Sequence, residues 1–324
     1  MQQLRSRPSL SHPVLAAVLA SVCALLWGSA YPGIKAGYEL FSVGADNTAA
    51  KLMFAGVRFT LAGGIVLILR LFVPALRSSS PARVQGVSMV RKIGMVLSLG
   101  LAQTGLQYCF FYIGLSYTTG AKGSIINSTS VFFSAILAHL VYHNDKLHFR
   151  KSLGIALGFL AVILVNWQRG MGLDFALRGE GFIMLSAFIL SCTAIYSKWI
   201  TDRIEPVLVS GSQLMCGGIA LVLVALLMGE SFPTGGLAAW AVLGYLALLS
   251  SIAFTLWTSL LKYNKVSFIS VFNFLIPVAG TALSALVLRE KVLQVQYLIA
   301  VPAVAVGIFL VNSAAGTRKK VGIE

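Results

Sequence analysis

Ten stretches of this chain each run 18 to 25 residues with few charges: 14–37, 50–72, 93–116, 120–142, 150–167, 181–200, 207–228, 237–261, 266–288 and 293–312. At about 1.5 Å per residue, a helix of that length crosses the roughly 30 Å hydrocarbon core of a bilayer. The pattern predicts an all-α integral membrane protein with ten transmembrane helices. Charged residues make up 11% of the chain and hydrophobic ones 57%, whereas a soluble domain carries about 25% charge. No soluble domain is expected, and the lipid bilayer is the surrounding partner.

The net charge of +15 invites a nucleic-acid reading. The basic residues sit between the apolar runs, however, where they orient a membrane protein, so no nucleic-acid partner is expected. With the N-terminus in the cytoplasm, 17 Lys and Arg fall on the inner side. Seven fall outside, namely Lys35, Lys51, Lys122, Arg169, Arg178, Arg289 and Lys291, and Arg58 lies within a run. That bias places both termini in the cytoplasm, in a multi-pass protein of the cell (plasma) membrane. Arg5 and Arg7 before an apolar run imitate a signal peptide, but the run continues through Trp27 to Lys35, which reads as an uncleaved first helix. Cys23, Cys109, Cys192 and Cys216 lie inside apolar runs without a CxxC pair and read as small apolar fillers.

The chain repeats itself. Laid over 263–312 at an offset of 146, residues 117–166 match Tyr117 to Tyr263, Ser124 to Ser270 and Asn127 to Asn273. Leu164-Val165-Asn166 likewise meets Leu310-Val311-Asn312. Runs four and five are thus equivalent to nine and ten, and the repeat unit is five helices, 1–167 and 168–324. An odd unit inserts the second time upside down. Inverted repeats mark secondary transporters, with the substrate site between the halves near the midplane.

Four stretches carry a family resemblance: WGSAYPGIK at 27–35, VRFTLAGG at 57–64, YTTGAKGSIINSTSVFFSAILAHLVYHNDKL at 117–147 and its echo FISVFNFLIPVAGTALSALVLREKV at 268–292. In this order and spacing the chain resembles the EamA-type branch of the drug/metabolite transporter superfamily. The resemblance implies transport of small organic metabolites, often outward. It also implies a carboxylate after the ninth run, which Glu290 supplies, and a proline in both runs four and nine. Pro277 is present but its counterpart is Val131, so the fourth helix is expected to bend less.

Polar groups inside hydrocarbon usually line a cavity or pair with one another. Arg58 lies about seven residues, roughly 10 Å, inside the outer end of its run. With Lys35 and Lys122 it would form a cationic vestibule for an anionic group. Gln103 and Gln107, four residues apart, share a helical face, and Asn127 and Asn273 are the repeat-related polar pair. Trp27, Tyr31, Tyr196, Trp257 and Phe272 are candidate walls of a substrate cavity, with Trp257 also suited to an aromatic belt. Gly28, Pro32, Gly33 and Pro277 are candidate hinges. Gly154-xxx-Gly158 suits close helix packing.

All ten acids lie in loops or at run ends, which leaves no carboxylate at the midplane to carry a proton or sodium ion. His139 is the only other titratable candidate in a run. A uniporter or exchanger is therefore expected rather than a strongly proton-coupled pump, while the family resemblance leaves proton antiport open. The sequence has no HExxH, no GxSxG in a suitable turn and no metal-holding cluster, so neither an enzyme nor a cofactor is expected. The leading expectation is a secondary transporter, an exporter or exchanger of a small organic metabolite such as an amino acid. An importer of a vitamin, nucleobase or organic anion is the alternative, and a channel is the less favoured class. A monomer and a homodimer are both compatible.

Overall fold

The computed structural model describes residues 9–44, 46–74, 88–118, 120–167, 175–287 and 295–313. Arg289, Glu290 and Lys291, and the side chains of Asn166 and Asn312, lie outside what is described.

Ten helical segments follow one another. They are α1 (Pro13–Leu40), α2 (Thr48–Phe72), α3 (Met89–Leu115), α4 (Gly120–Asn127 and Ser130–Val141), α5 (Phe149–Asn166) and α6 (Leu177–Thr201). Then come α7 (Pro206–Leu227), α8 (Leu237–Tyr263), α9 (266–287) and α10 (Val295–Ser313). Seven of these, α1–α4 and α6–α8, reach 18 residues with mean hydropathy of at least 1.2 among the described residues. Val14, Val18, Val22 and Leu25 are exposed at three- and four-residue spacing along α1, the stripe of a helix that faces lipid. The protein is a multi-pass membrane protein.

Local chemistry places the ends. The Asn47 side chain accepts from the Ala50 N–H at 2.9 Å and starts α2. Pro13 and Pro206 open α1 and α7, where a missing N–H is harmless. Alternate ends meet on two faces. Arg70 at the end of α2 pairs with Glu205 before α7 at 2.8 Å, and Asn264 after α8 donates to the Leu10 carbonyl, on the face where α1 begins. Asn47 bonds Glu230, and Thr48 bonds Ser116, on the opposite face. These are called the N-terminal and the distal face below.

Helix pairing obeys a pseudo-two-fold. α2 packs on α7, and α5 on α10, each pair being its own mirror. α1 packs on α9 and α8, and α6 packs correspondingly on α4 and α3. These are two inverted five-helix repeats. The self-paired crossings need glycine: a Cβ on Gly63 would lie 2.4 Å from the Met215 nitrogen, and one on Gly154 2.5 Å from the Gly307 oxygen.

Both α4 and α9 break midway. α9 runs Val266–Ser270, a 3-10 turn Val271–Phe274, then Leu275–Val287. Pro277 lacks the N–H that would bond the Asn273 carbonyl. α4 stops at Asn127 and restarts at Ser130. This corrects the expectation that Val131 would keep α4 straighter: Ser128 Oγ takes the Ser124 carbonyl at 2.9 Å and Thr129 Oγ1 the Ile126 carbonyl at 2.6 Å, and such back-bonding competes with the helical ladder. α1, in contrast, is one continuous helix through Gly28, Pro32 and Gly33. Gly28 permits the crossing with α9, since a Cβ there would meet Ala279 Cβ at 2.8 Å, and Gly33 abuts Leu246 of α8.

Candidate functional site

Arg58 follows the start of α2 by ten residues, about 15 Å at 1.5 Å each, which is mid-bundle. It is 4% exposed. Its Nε donates to Ser250 Oγ at 2.9 Å and to the Leu246 carbonyl at 3.3 Å, both on α8. Both partners are neutral, and no carboxylate pairs with Arg58 among the described residues. Holding a lone cation at that depth costs roughly 3 kcal/mol, so the position needs a compensating role.

A run of contacting aromatic rings from four helices starts beside it. Its guanidinium carbon sits 5.1 Å from the Phe59 ring. Phe59 meets Tyr108 at 4.6 Å and Phe254 at 6.0 Å, Phe254 meets Trp27 at 5.3 Å, and Trp27 meets Trp257 at 5.0 Å. The Tyr108 and Tyr112 phenols lie within electrostatic reach of the guanidinium. Tyr31 packs against Gly280 of α9 and lies near Tyr108 and Tyr112, yet is 42% exposed. Four buried polar atoms have no hydrogen-bond partner among the described residues: Trp27 Nε1, Tyr38 Oη, Asn127 Oδ1 and Gln213 Nε2. Buried polar atoms of this kind are normally satisfied, and a bound solute or water would satisfy them.

The predicted residues divide. Trp27, Tyr31, Arg58 and Trp257 come together; Trp257 is 7% exposed against Trp27, which corrects the aromatic-belt alternative. Asn127 and Asn273 occupy equivalent breaks of α4 and α9, and Asn273 is half-buried. Gln103 is buried in the π-helical turn Leu101–Leu106 of α3, a distortion frequent at functional sites. Gln107 instead donates to Ser186 Oγ of α6 at 2.7 Å, a helix-to-helix bond.

Four candidates are elsewhere. Tyr196 bonds Ser98 at 3.0 Å and stacks on Trp199 near the N-terminal face, because α6 turns it toward the start of α3. Phe272 is 2% exposed in the core, beside Phe268. The expected three-cation vestibule is not formed. Lys122 pairs with Glu180 of α6 at 2.8 Å, and Lys35 is exposed. An acid within reach takes up Lys122, and among the described residues Arg58 supplies the mid-bundle charge.

Two clasps escaped the sequence reading. On the N-terminal face, Asp145 accepts from Lys151 Nζ at 2.7 Å, and from the N–H of Ser267 in the first turn of α9 at 3.1 Å. Ser267 Oγ donates to the same carboxylate. On the distal face, Glu180 accepts from Lys122 and, at 2.7 Å, from Thr118 Oγ1 at the entrance of α4. These acids do lie at helix ends, but Asp145 is 2% and Glu180 3% exposed. Beside Asp145 a cavity of about 400 Å³ is lined by Tyr142, Lys198 and Lys265, among others. There Lys198 spends its charge on the carbonyls of Leu261 and Asn264, capping the end of α8. His139 is likewise committed, its Nδ1 accepting from the Leu147 N–H at 3.0 Å.

The inner edges of the two broken helices differ between faces. On the N-terminal face, Ser130–Val141 packs against Val266–Ser270. The distal halves, 120–127 and 275–287, share no comparable contact among the described residues.

The sequence profile described as the EamA-like transporter family matches residues 14–167 and again 177–313. The chain belongs to the EamA-like transporter family. A protein named a probable amino-acid metabolite efflux pump, from Escherichia coli (strain K12), is 25% identical over 88% of this EamA chain and 90% of its own length. An uncharacterised transporter of Synechocystis is 25% identical over 89% of this chain and 86% of its own length. A crystal structure of another protein superposes with a TM-score of 0.75 at 17% identity, covering 97% of this chain and all of that one, which shows a shared fold. The chain is a membrane transporter.

Proposed function

We propose that this transporter is a secondary carrier, an exporter or exchanger of small organic metabolites that works by alternating access around the Arg58 chamber. The observation that carries this reading is the asymmetry of α4 and α9. Their N-terminal-face halves are packed and clasped through Asp145, while their distal halves share no comparable contact among the described residues. Broken helices at equivalent points of inverted repeats can exchange those two arrangements by rocking one repeat against the other. With the N-terminal face in the cytoplasm, as the Lys and Arg asymmetry favours, this conformation faces outward.

Export of an amino acid or a related metabolite is supported by the printed name of the Escherichia coli relative. Exchange is supported by the placement of the described acids, none of which lies beside Arg58 to bind a coupling ion. The test is counterflow in proteoliposomes loaded in turn with pooled amino acids, nucleobases and organic anions. Saturable uptake accelerated by solute on the opposite side is expected. Flux that is linear in concentration and indifferent to the opposite side would indicate a channel and refute the proposal.

A further inference from the structure

Resting on the carrier reading, we propose that the substrate is a monoanion: a carboxylate on an aromatic or similarly flat apolar body, bound by Arg58, with no ammonium group of its own. Three observations converge. Arg58 is buried at mid-bundle with only its Nε bonded to protein, so the remainder of its planar fork has no oxygen partner among the described residues. That fork matches a carboxylate, which it grips with two parallel bonds. The rings of Phe59, Tyr108, Phe254, Trp27 and Trp257 form a continuous aromatic wall of contacting rings that starts at the guanidinium. Such a wall suits a flat apolar body, and the unpartnered Trp27 Nε1 offers one donor within it.

The third observation is what the chamber lacks. A zwitterion would bring an ammonium group, which needs a counter-charge. The described acids are elsewhere: Asp145 is held by Lys151 and Ser267, Glu180 by Lys122 and Thr118, and Glu205 by Arg70. Glu39, Asp46, Asp202 and Glu230 lie at helix ends or in loops. Aromatic faces could attract an ammonium, but in this chamber they share the space with the guanidinium, which repels it. Among the described residues the charge balance is one cation to one anion. The substrate therefore corresponds to an amino acid stripped of its amino group rather than to the amino acid.

The experiment uses the full chain in proteoliposomes and three probes with one common body: 3-phenylpropanoate, phenylalanine and 3-phenylpropanamide. Wild-type protein is expected to exchange 3-phenylpropanoate, with phenylalanine at least about tenfold weaker and the uncharged amide inactive. Arg58→Gln should lower phenylpropanoate exchange by at least about 30-fold, as loss of one partner of a buried charge pair does. Arg58→Lys, which keeps the charge without the fork, should retain an intermediate rate. Because Arg58→Gln could fold poorly, protection of wild type against thermal unfolding provides a second readout. Phenylpropanoate should protect and the amide should not. Phenylalanine exchanged as well as phenylpropanoate would overturn the monoanion assignment. Counterflow of other pooled solutes with none of phenylpropanoate would overturn it while leaving the carrier intact. No counterflow of any solute by well-folded protein would overturn the carrier reading and this inference with it.

Discussion

Replacing Asp145 by Asn removes one charge from a pair that is almost wholly enclosed, Asp145 being 2% and Lys151 4% exposed. The amide keeps the shape of the carboxylate. It leaves the Lys151 ammonium with two carbonyl oxygens, those of Asp145 at 3.2 Å and Lys146 at 3.3 Å. Stranding one member of a buried pair costs about 3–5 kcal/mol, and the two carbonyl bonds place this case near the lower end. Removing both charges, as in Asp145→Asn with Lys151→Met, should recover most of the loss, because a buried pair exchanged for neutral groups is often close to neutral. The expected coupling in the double-mutant cycle is about 2 kcal/mol. The assay is an SDS titration of purified protein in mixed micelles, run on wild type, both single variants and the double variant. The pH dependence adds a sign. Burial raises the Asp145 carboxyl pKa, but the Lys151 charge and the bonds from Lys151 and Ser267 outweigh it and hold the group below its usual 3.8. A depressed folded value contributes stability above the unfolded pKa and loses it as pH falls through the folded one. Wild type should therefore lose stability on acidification below about pH 4, and Asp145→Asn should lack that component. An Asp145→Asn midpoint equal to wild type, or a double variant worse than the sum of the singles, would refute the reasoning.

Glu180→Gln should destabilise less than Asp145→Asn, by about 1–2 kcal/mol, since the Lys122 side chain is 20% exposed and can turn to water; the same SDS titration checks the ranking. Gly63→Val should abolish folded protein in size-exclusion chromatography because its Cβ would sit 2.4 Å from the Met215 nitrogen, whereas Gly64→Ala, with nothing within 4 Å, should express normally. Asn127→Leu should raise the unfolding midpoint while reducing counterflow, because it removes a buried oxygen that has no partner among the described residues; a lower midpoint with normal flux would show that Asn127 serves packing.

Much of the scaffold was legible because lipid imposes one rule on every span. The ten apolar runs fall within a few residues of the ten helices, and the 146-residue offset that pairs Asn127 with Asn273 also pairs the breaks of α4 and α9. Arg58 stood out because a cation within an apolar run has few roles. What failed was direction. An aromatic residue in a membrane helix can face lipid, core or cavity at the same apparent hydropathy, so hydropathy does not separate Tyr196 near the N-terminal face and Phe272 in the core from Trp257, which packs on Trp27. The clasps were hidden because their partners are distant in sequence. Asp145 finds Ser267 122 residues away, and Glu180 finds Thr118 62 residues away. The α4 break does not need a proline, because the hydroxyls of Ser128 and Thr129 capture carbonyls of the preceding turn, a signal weaker in the sequence than a proline.

The claim on which the account stands is that one chamber opens to each face in turn. With Cys23, Cys109, Cys192 and Cys216 replaced, a single cysteine at Tyr31, the exposed edge of the chamber, would be challenged with a membrane-impermeant thiol reagent in intact cells and in inside-out vesicles. Alternating access predicts labelling in both preparations, with the ratio shifting when solute is supplied on one side only. Labelling from a single face under every solute condition would contradict it.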